Sequence, residues 1–353
     1  MYRWSSFPPQ CGERRKFSTF RTFFPEARHD RRMTTTVSPL VSLPVRPCPV
    51  PLIRRVEGGM RFDHAVRRGE LRRVRSGVYV PSHDWEQLPP WDRYLVRVHA
   101  FALKAPYAVL THESAAALWG LPLLGAQPHI HAIAPRSGDA RLVGDVQWHH
   151  LKDEPDVVTT PGAALTPPVD TVVNLARSRH PAVARVAADA LLRLGDCSSD
   201  LLLDANESRQ SKRGRAAARW PLTTTTPLPE SPLETLSIVE IEWLGFEAPE
   251  LQVSVGGMDG NEYRVDCFWR RADIIGEADG RSKYTLDGQL PERAVWLEKR
   301  REDVLRRSAS GFTRWIWEDV GRPTRLQAIL RAVGVPEVRV PRWEPLRTLA
   351  AIL

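Results

Sequence analysis

The stretch Tyr263–Tyr284, YRVDCFWRRADIIGEADGRSKY, restricts the possible folds of this chain more than any other. Tyr263–Trp269 is rich in β-branched and aromatic residues, Arg270-Arg271 is a polar break, and Ala272–Ala278 is a second apolar run ending at Asp279-Gly280. That is the pattern of two short strands joined by a tight turn. Side chains alternate faces along a strand, so Ile275, Glu277 and Asp279 share one side. With a two-residue turn pairing Trp269 with Ala272, Asp266 stands opposite Ile275 and diagonal to Glu277, within about 7–8 Å. A turn of three residues puts Asp266 on the other face. Three carboxylates on one patch of sheet are costly without a positive charge between them, and Mg²⁺ or Mn²⁺ would supply it. The same acids also read as ordinary surface charges, paired with Arg264, Arg270 or Arg271, with Asp279-Gly280 a turn dipeptide.

Charge is unevenly spread. The chain of 353 residues carries a formal +8, yet residues 1–81 hold 17 Lys/Arg against 6 Asp/Glu, a surplus of 11, which leaves about −3 for the rest. A basic end on a balanced chain suggests an acidic partner, most commonly nucleic acid, or else an unstructured solubilising arm. The four cysteines, Cys11, Cys48, Cys197 and Cys267, show no CxxC spacing. They indicate neither a zinc site nor a disulfide framework, and a reducing cytoplasm fits. No run of about 18 apolar residues exists to span a membrane, and the N-terminus lacks the apolar core of a secretory signal. Met33 is read as the start, with the preceding segment an upstream extension of the reading frame.

Taken in order, residues 1–50 are Pro-, Ser-, Thr- and Arg-rich without periodicity and read as disordered. Over 51–81, a short helix around Phe62, Ala65 and Val66 precedes a hairpin carrying Arg72, Arg73 and Arg75. A basic helix with Arg67 and Arg68, followed by a basic β-wing, outlines a winged helix-turn-helix that meets DNA through groove and phosphate. The middle region, 82–197, mixes helices and strands. Helices are predicted over Trp91–Lys104, from Thr111, over Pro168–Ala176 and over Pro181–Leu194; strands over His129–Ala134 and Asp145–His150. His112 and Glu113 are read as structural. His129, His131, His149 and His150 lie on strands with no carboxylate companion, which argues against a metal. A polar linker is expected over 198–230.

The last domain, 231–335, begins at Ser231-Pro232-Leu233-Glu234, a helix start with Ser231 as N-cap and Glu234 closing a capping box. Glu234 is also in phase with Ile238 and Ile241, so it points along the apolar stripe toward the sheet. A strand over Gln252–Val255, the acidic hairpin, a helix over Leu290–Arg307, a strand over Phe312–Trp317 and a helix over Thr324–Val333 complete a small α/β sandwich. In the long helix Trp296, Leu297, Val304 and Leu305 are expected inward, and Lys299, Arg300, Arg301, Arg306 and Arg307 outward. Residues 336–353 are read as a tail.

The motifs SPLE at 231–234, RVDCFW at 264–269, GEADGRSKY at 276–284, EKRRED at 298–303 and the strand ending Trp315-Ile316-Trp317 carry a resemblance. In order and spacing, 231–335 resembles the Vsr-like branch of the PD-(D/E)XK nucleases, more narrowly domain-of-unknown-function family 559. Residues 51–195 resemble the AbiEi-type antitoxin-like proteins of actinobacteria, through GELRRVRSGVYV at 69–80, THESAAALWGLP at 111–122 and DTVVNLAR at 170–177. The resemblance implies an α/β (α+β) multidomain chain: a winged-helix-like module, an α+β middle domain, and a restriction-endonuclease-like sandwich with a mixed sheet. It implies Mg²⁺- or Mn²⁺-dependent hydrolysis of DNA phosphodiesters. Asp266 and Glu277 would hold the ion, Asp279 would be a further ligand or orient one, and Glu234 would bind a metal-bound water or a second ion. The pattern puts Lys two residues after the glutamate, where this chain has Asp279; Lys283 or Lys299 would replace it, and Arg300 and Arg301 would clamp the backbone. The rival expectation is a non-catalytic DNA-binding regulator or antitoxin with a toxin or other protein partner, its nuclease fold inert.

Overall fold

A computed structural model describes residues 43–55, 62–153, 156–195, 197–280 and 291–353. The expected N-terminal arm, apart from residues 43–50, and Lys283 lie outside the described residues. Among the described residues the chain forms thirteen α-helices and three sheets, a mixed α/β protein. None of these helices is long and apolar enough to cross a membrane.

The first sheet has three antiparallel strands in the order β1 (Ile53–Arg54), β3 (Val78–Pro81), β2 (Leu71–Arg75). Helix α1 (Phe62–Arg67) packs on it through Phe62 and Ala65, with the Phe62 and Tyr79 rings 4.9 Å apart. Helix α2 (Ser82–Gln87) follows directly and buries Trp85. In the β2 strand Leu71 packs with Phe62, Ala65 and Tyr79, and Val74 packs with Val80 and Trp85, while Arg72 and Arg73 between them stay exposed.

The central sheet has six short strands in the order β6 (Leu142–Val143), β7 (Val146–His149), β5 (Ile130–Ile133), β4 (Val109–Leu110), β9 (Ala164–Leu165), β8 (Val158–Thr159). Around it lie α3 (Pro90–Lys104), α4 (His112–Leu118), α5 (Pro168–Ser178) and α6 (Pro181–Leu194). Three of these helices open with proline, whose fixed φ suits the first turn and whose missing N–H is no loss there. Ala115, Ala116 and Ala117 let α4 approach its neighbours closely. The stretch expected to be a polar linker holds two helices instead, α7 (Ser199–Ser208) and α8 (Arg215–Thr223). Leu202, Ala218 and Leu222 from them are fully buried in the same core as α4 and α5. Their apolar positions are sparse but fall on one helical face, and packing decides the outcome.

The C-terminal sheet runs β10 (Glu250–Gly256), β11 (Glu262–Trp269), β12 (Ile274–Ala278), β13 (Gly311–Trp315). The first three are antiparallel, and β12–β13 is parallel because α10 (Pro291–Ser308) connects them. One face, with Cys267, Trp269, Ile274, Ala278 and Trp315, packs on α9 (Pro232–Leu244). Phe268, Ile275 and Phe312 of the other face meet Leu305 of α10. Gly245 ends α9 at φ 86°, where an added Cβ would sit 2.1 Å from the Arg339 carbonyl oxygen. Helices α11 (Trp317–Val320), α12 (Pro323–Val333) and α13 (Trp343–Ala350) close this core. The expected tail is thus part of it: Leu346 and Leu349 of α13 are fully buried.

Two local expectations change. Trp269 pairs with Ile274, so the turn has four residues rather than two, with Asp273 at φ 51°. One step beyond the last paired residues, Cys267 and Gly276, Asp266 falls beside Glu277 and not opposite Ile275. In α10, Trp296 and Leu297 are exposed at 58% and 45%, while Leu305 is buried and Arg301 turns inward. The Arg301–Leu305 face meets the sheet, a phase that three consecutive arginine-flanked turns conceal in the sequence.

Candidate active site

Ser231, at the N-cap of α9, accepts from the Glu234 backbone N–H at 3.2 Å and donates its hydroxyl to Glu234 Oε1 at 2.7 Å. Glu234 Oε2 takes the Glu230 backbone N–H at 2.8 Å and the Gln252 amide at 2.9 Å. Glu234 is therefore both a helix cap and an inward carboxylate, 5% exposed. Among the described residues it has no ion-pair partner; its donors are all neutral. Asp266, on β11, takes the Ala278 backbone N–H on Oδ2 at 2.9 Å and the same Gln252 amide on Oδ1 at 3.4 Å. Glu234 and Asp266 thus line one narrow crevice with Gln252, Cys267 and Ala278. Gln252 holds this place at φ 52°, a left-handed conformation costing a non-glycine residue about 1–3 kcal/mol. The negative potential reaches Cys267, whose thiol is pushed well up by burial and by Asp266, Glu234 and Glu277.

Glu277 faces a different set of partners. Arg301 reaches it at 2.6 and 3.1 Å and Arg314 at 2.8 Å. Arg314, the residue paired with Glu277 across the parallel strands, also lies 3.4 Å from Asp279 and 3.4 Å from Glu302. Gly276, between the two branches, admits the Trp269 and Trp315 rings where an added Cβ would be 2.7–2.9 Å from them. The structure therefore brings Asp266 together with Glu234, and Glu277 together with Asp279, Arg301 and Arg314. Among the described residues no group of three or more His, Cys, Asp or Glu side chains is arranged to hold a metal ion. Two carboxylates that share the Gln252 amide are nonetheless donors of the kind Mg²⁺ or Mn²⁺ takes, one or two carboxylates with the shell completed by water and substrate phosphate. Lys299 and Arg300 are exposed, Arg300 lying 5.7 Å over the Trp296 ring.

In the first module Arg72 and Arg73 are exposed, Arg72 stacking 5.2 Å over Trp85. Arg68 forks onto Glu70 at 2.7 and 2.9 Å, and Arg67 donates to the Asp63 carbonyl. Arg75 is turned back onto Asp145 at 2.8 and 2.9 Å, in an open groove that Arg73 also lines.

A second polar cluster was not legible in the sequence. His131 and His149 do have a carboxylate companion, Glu113 from α4, against the expectation that they had none. His131 Nε2 lies 3.3 Å from Glu113 Oε2, and His131 Nδ1 lies 2.9 Å from His149 Nε2. Arg179 forks onto Glu113, with one bond of 2.9 Å. His112 stacks on His149 at 3.9 Å and sits at φ 49°. Burial outweighs the Glu113 charge and pulls His131 and His149 down to about 4; it also pulls His112 well down. His129 and His150 stay out of the cluster. The signal available was THES at 111–114, four polar residues at the head of a helix whose remaining positions, Ala115–Leu118, are apolar.

These features define a mixed α/β protein whose C-terminal domain carries a crevice lined by the buried Glu234 and the half-buried Asp266, beside an arginine-bound glutamate. No family model matches the chain, and no solved structure matches it. Two curated proteins of Mycobacterium tuberculosis are similar to it: the uncharacterized protein MT2308 of strain CDC 1551 / Oshkosh and the uncharacterized protein Rv2248 of strain ATCC 25618 / H37Rv. Each is 29% identical over 209 residues, 59% of this chain and 73% of its own length.

Proposed function

We propose that the C-terminal domain is a Vsr-like PD-(D/E)XK endonuclease module that hydrolyses DNA phosphodiesters with Mg²⁺ or Mn²⁺, in the cytoplasm, and that the α1–wing module, read as a winged helix, delivers it to DNA. The observation that carries this reading is the convergence of Glu234 and Asp266 on one amide, where the β11–β12 ladder opens. Glu234 is a buried carboxylate without a cationic partner among the described residues, a costly arrangement unless a cation uses it. Glu234 and Asp266 would hold the ion, with Gln252 fixing their oxygens in the meantime. The ion, when bound, polarises a phosphoryl oxygen and makes its water more acidic. Arg72 and Arg73, both exposed, supply phosphate contacts from the wing. Asp266→Ala is expected to reduce Mg²⁺-dependent nicking of supercoiled plasmid by about 100-fold or more while leaving DNA binding intact. Nicking at the wild-type rate in Asp266→Ala ends this reading.

One observation favours a second reading, a non-catalytic DNA-binding regulator or antitoxin with a toxin partner. Glu277 is already compensated by Arg301 and Arg314, and Asp279 stands where the nuclease pattern has lysine. Thermal melting with millimolar Mn²⁺ separates the two, since only a working carboxylate site gains stability from the ion.

A further inference from the structure

The cation missing from position 279 has a counterpart elsewhere in the fold. Lys299 is exposed, and the neighbouring strand supplies a cation of its own. Parallel pairing sets Arg314 of β13 beside Glu277 of β12, on the same face of the sheet. Its guanidinium lies 2.8 Å from Glu277, 3.4 Å from Asp279 and 3.4 Å from Glu302, with its side chain 19% exposed. Arg301 shares Glu277 at 2.6 Å. Two guanidinium groups and the carboxylates of Glu277, Asp279 and Glu302 thus meet at this place. Of the four acids of 234–279, Glu234 has neutral donors only among the described residues, while Glu277 and Asp279 gather around Arg314.

We propose that Arg314 is a cationic residue of this site, supplied from β13 where 279 lacks a lysine, and that it meets a phosphate group of the DNA. The proposal rests on the nuclease reading. Without DNA, Arg314 holds Glu277, Asp279 and Glu302 together in the manner of a built-in counter-ion. An arriving phosphate offers the same planar, two-oxygen geometry as a carboxylate, for which guanidinium is the best-matched donor. Arg314 remains charged at any physiological pH, so its part is charge stabilisation and positioning, not proton transfer. A divalent ion entering near Glu277 meets the repulsion of this resident charge. Arg314 therefore confines the ion to the Glu234–Asp266 side until phosphate draws the guanidinium away.

The two roles have opposite signs on removal of the charge, which makes the test sharp. The full chain, as wild type, Arg314→Gln and Arg314→Lys, is titrated with Mn²⁺ by thermal melting and assayed for nicking of supercoiled plasmid. Arg314→Gln is expected to bind Mn²⁺ about tenfold more tightly, because a unit positive charge has left the acid cluster. It is expected to nick about 100-fold more slowly, because the phosphate has lost its donor. Arg314→Lys keeps the charge without the fork, so Mn²⁺ affinity stays within about threefold of wild type and nicking recovers in part. An arginine with a merely structural part lowers the melting temperature without tightening Mn²⁺. Unchanged Mn²⁺ affinity or unchanged nicking in Arg314→Gln overturns the proposal. Should that variant not fold, Arg314→Gln combined with Glu302→Gln restores the local charge balance, and wild-type nicking in the pair overturns it equally. A wild-type chain that never nicks with any divalent ion, matching Asp266→Ala, brings down the nuclease reading itself and the phosphate contact with it.

Discussion

Two buried clusters of charge in this chain solve the same electrostatic problem differently. In the central domain Glu113 is 4% exposed and receives a guanidinium fork from Arg179 and a ring nitrogen from His131. Every partner comes from within the domain, and the histidines around it are neutral at ordinary pH. In the C-terminal domain Glu234 is as deeply buried, but its donors are a hydroxyl, a backbone N–H and an amide. A neutral donor satisfies an oxygen's hydrogen-bonding capacity without cancelling its charge. The first cluster is electrically closed; in the second, Glu234 has no cationic partner among the described residues. Burial alone does not distinguish these two acids, whereas the charge of their partners does.

The largest expected effect breaks the closed cluster. Arg179→Ala leaves Glu113 buried without its guanidinium, and removal of one partner from a buried pair typically costs about 3–5 kcal/mol. Urea unfolding is expected to show a loss of that order for the central domain. A loss below about 1 kcal/mol would show that water reaches Glu113 and that the cluster is not closed.

Next in size is the response to acid. Burial holds His131 and His149 at about 4, below their ordinary 6.5, so the folded state binds fewer protons than the unfolded state between those values. Their contribution is therefore fully present above about pH 6.5 and is lost as pH falls toward 4, by at most about 1.4 kcal/mol per pH unit for each ring. The rings are 2.9 Å apart and titrate as a pair, so a single summed slope is expected. Glu113, whose carboxyl is held below its usual range by Arg179 and His131 despite its burial, adds to the loss only at the acid end. His149→Gln should flatten the curve of urea midpoint against pH between 6.5 and 4.

The sequence and the structure agree best where periodicity is strong. The helices over 90–104, 168–178, 181–194 and 323–333 and the strands at 262–269 and 274–278 follow from apolar spacing and proline or glycine punctuation. What sequence spacing could not supply was the loop length between Trp269 and Ile274. Four residues instead of two bring Asp266 beside Glu277, and the opening of the ladder then turns Asp266 toward Glu234. Helices α7 and α8 were hidden because their few buried positions, Leu202, Ala218 and Leu222, sit among many polar ones. Arg301 and Arg314 were hidden for a different reason. An arginine in a basic helix or an edge strand reads as solvent-facing, and only tertiary register aims it at a carboxylate. The Glu113–His131 contact joins residues from a helix and a strand, a pairing that no local period encodes.

The contrast between a closed and an open acid sharpens further at Glu234. Glu234→Gln removes a buried charge that has no cationic partner among the described residues, so the metal-free stability should change little or rise. Glu113→Gln, by contrast, should destabilise. With Mn²⁺ at ten times its dissociation constant, wild type should gain about 1.4 kcal/mol by linkage, and Glu234→Gln should lose most of that gain. Equal Mn²⁺ stabilisation in both proteins would place the ion elsewhere and erase the distinction drawn between the two clusters.

The smallest effect lies at the wing, where the same rule is applied to arginines in place of acids. Arg75 is spent on Asp145, whereas Arg73 is exposed beside it in the same groove. Of these two, Arg73 should contribute the phosphate contact, because Arg75 would first have to break its fork onto Asp145 and, among the described residues, has no metal site beside it to draw a phosphate in. Arg73→Ala is expected to lower the slope of log affinity against log salt by about one, as loss of one phosphate contact does. Arg75→Ala should leave that slope unchanged and instead loosen the junction between the wing and the central sheet. Fluorescence anisotropy of a labelled duplex across 50–200 mM salt measures both. Equal changes of slope would mean that Asp145 releases Arg75 to DNA, and that partner charge in the free protein does not predict which cations bind.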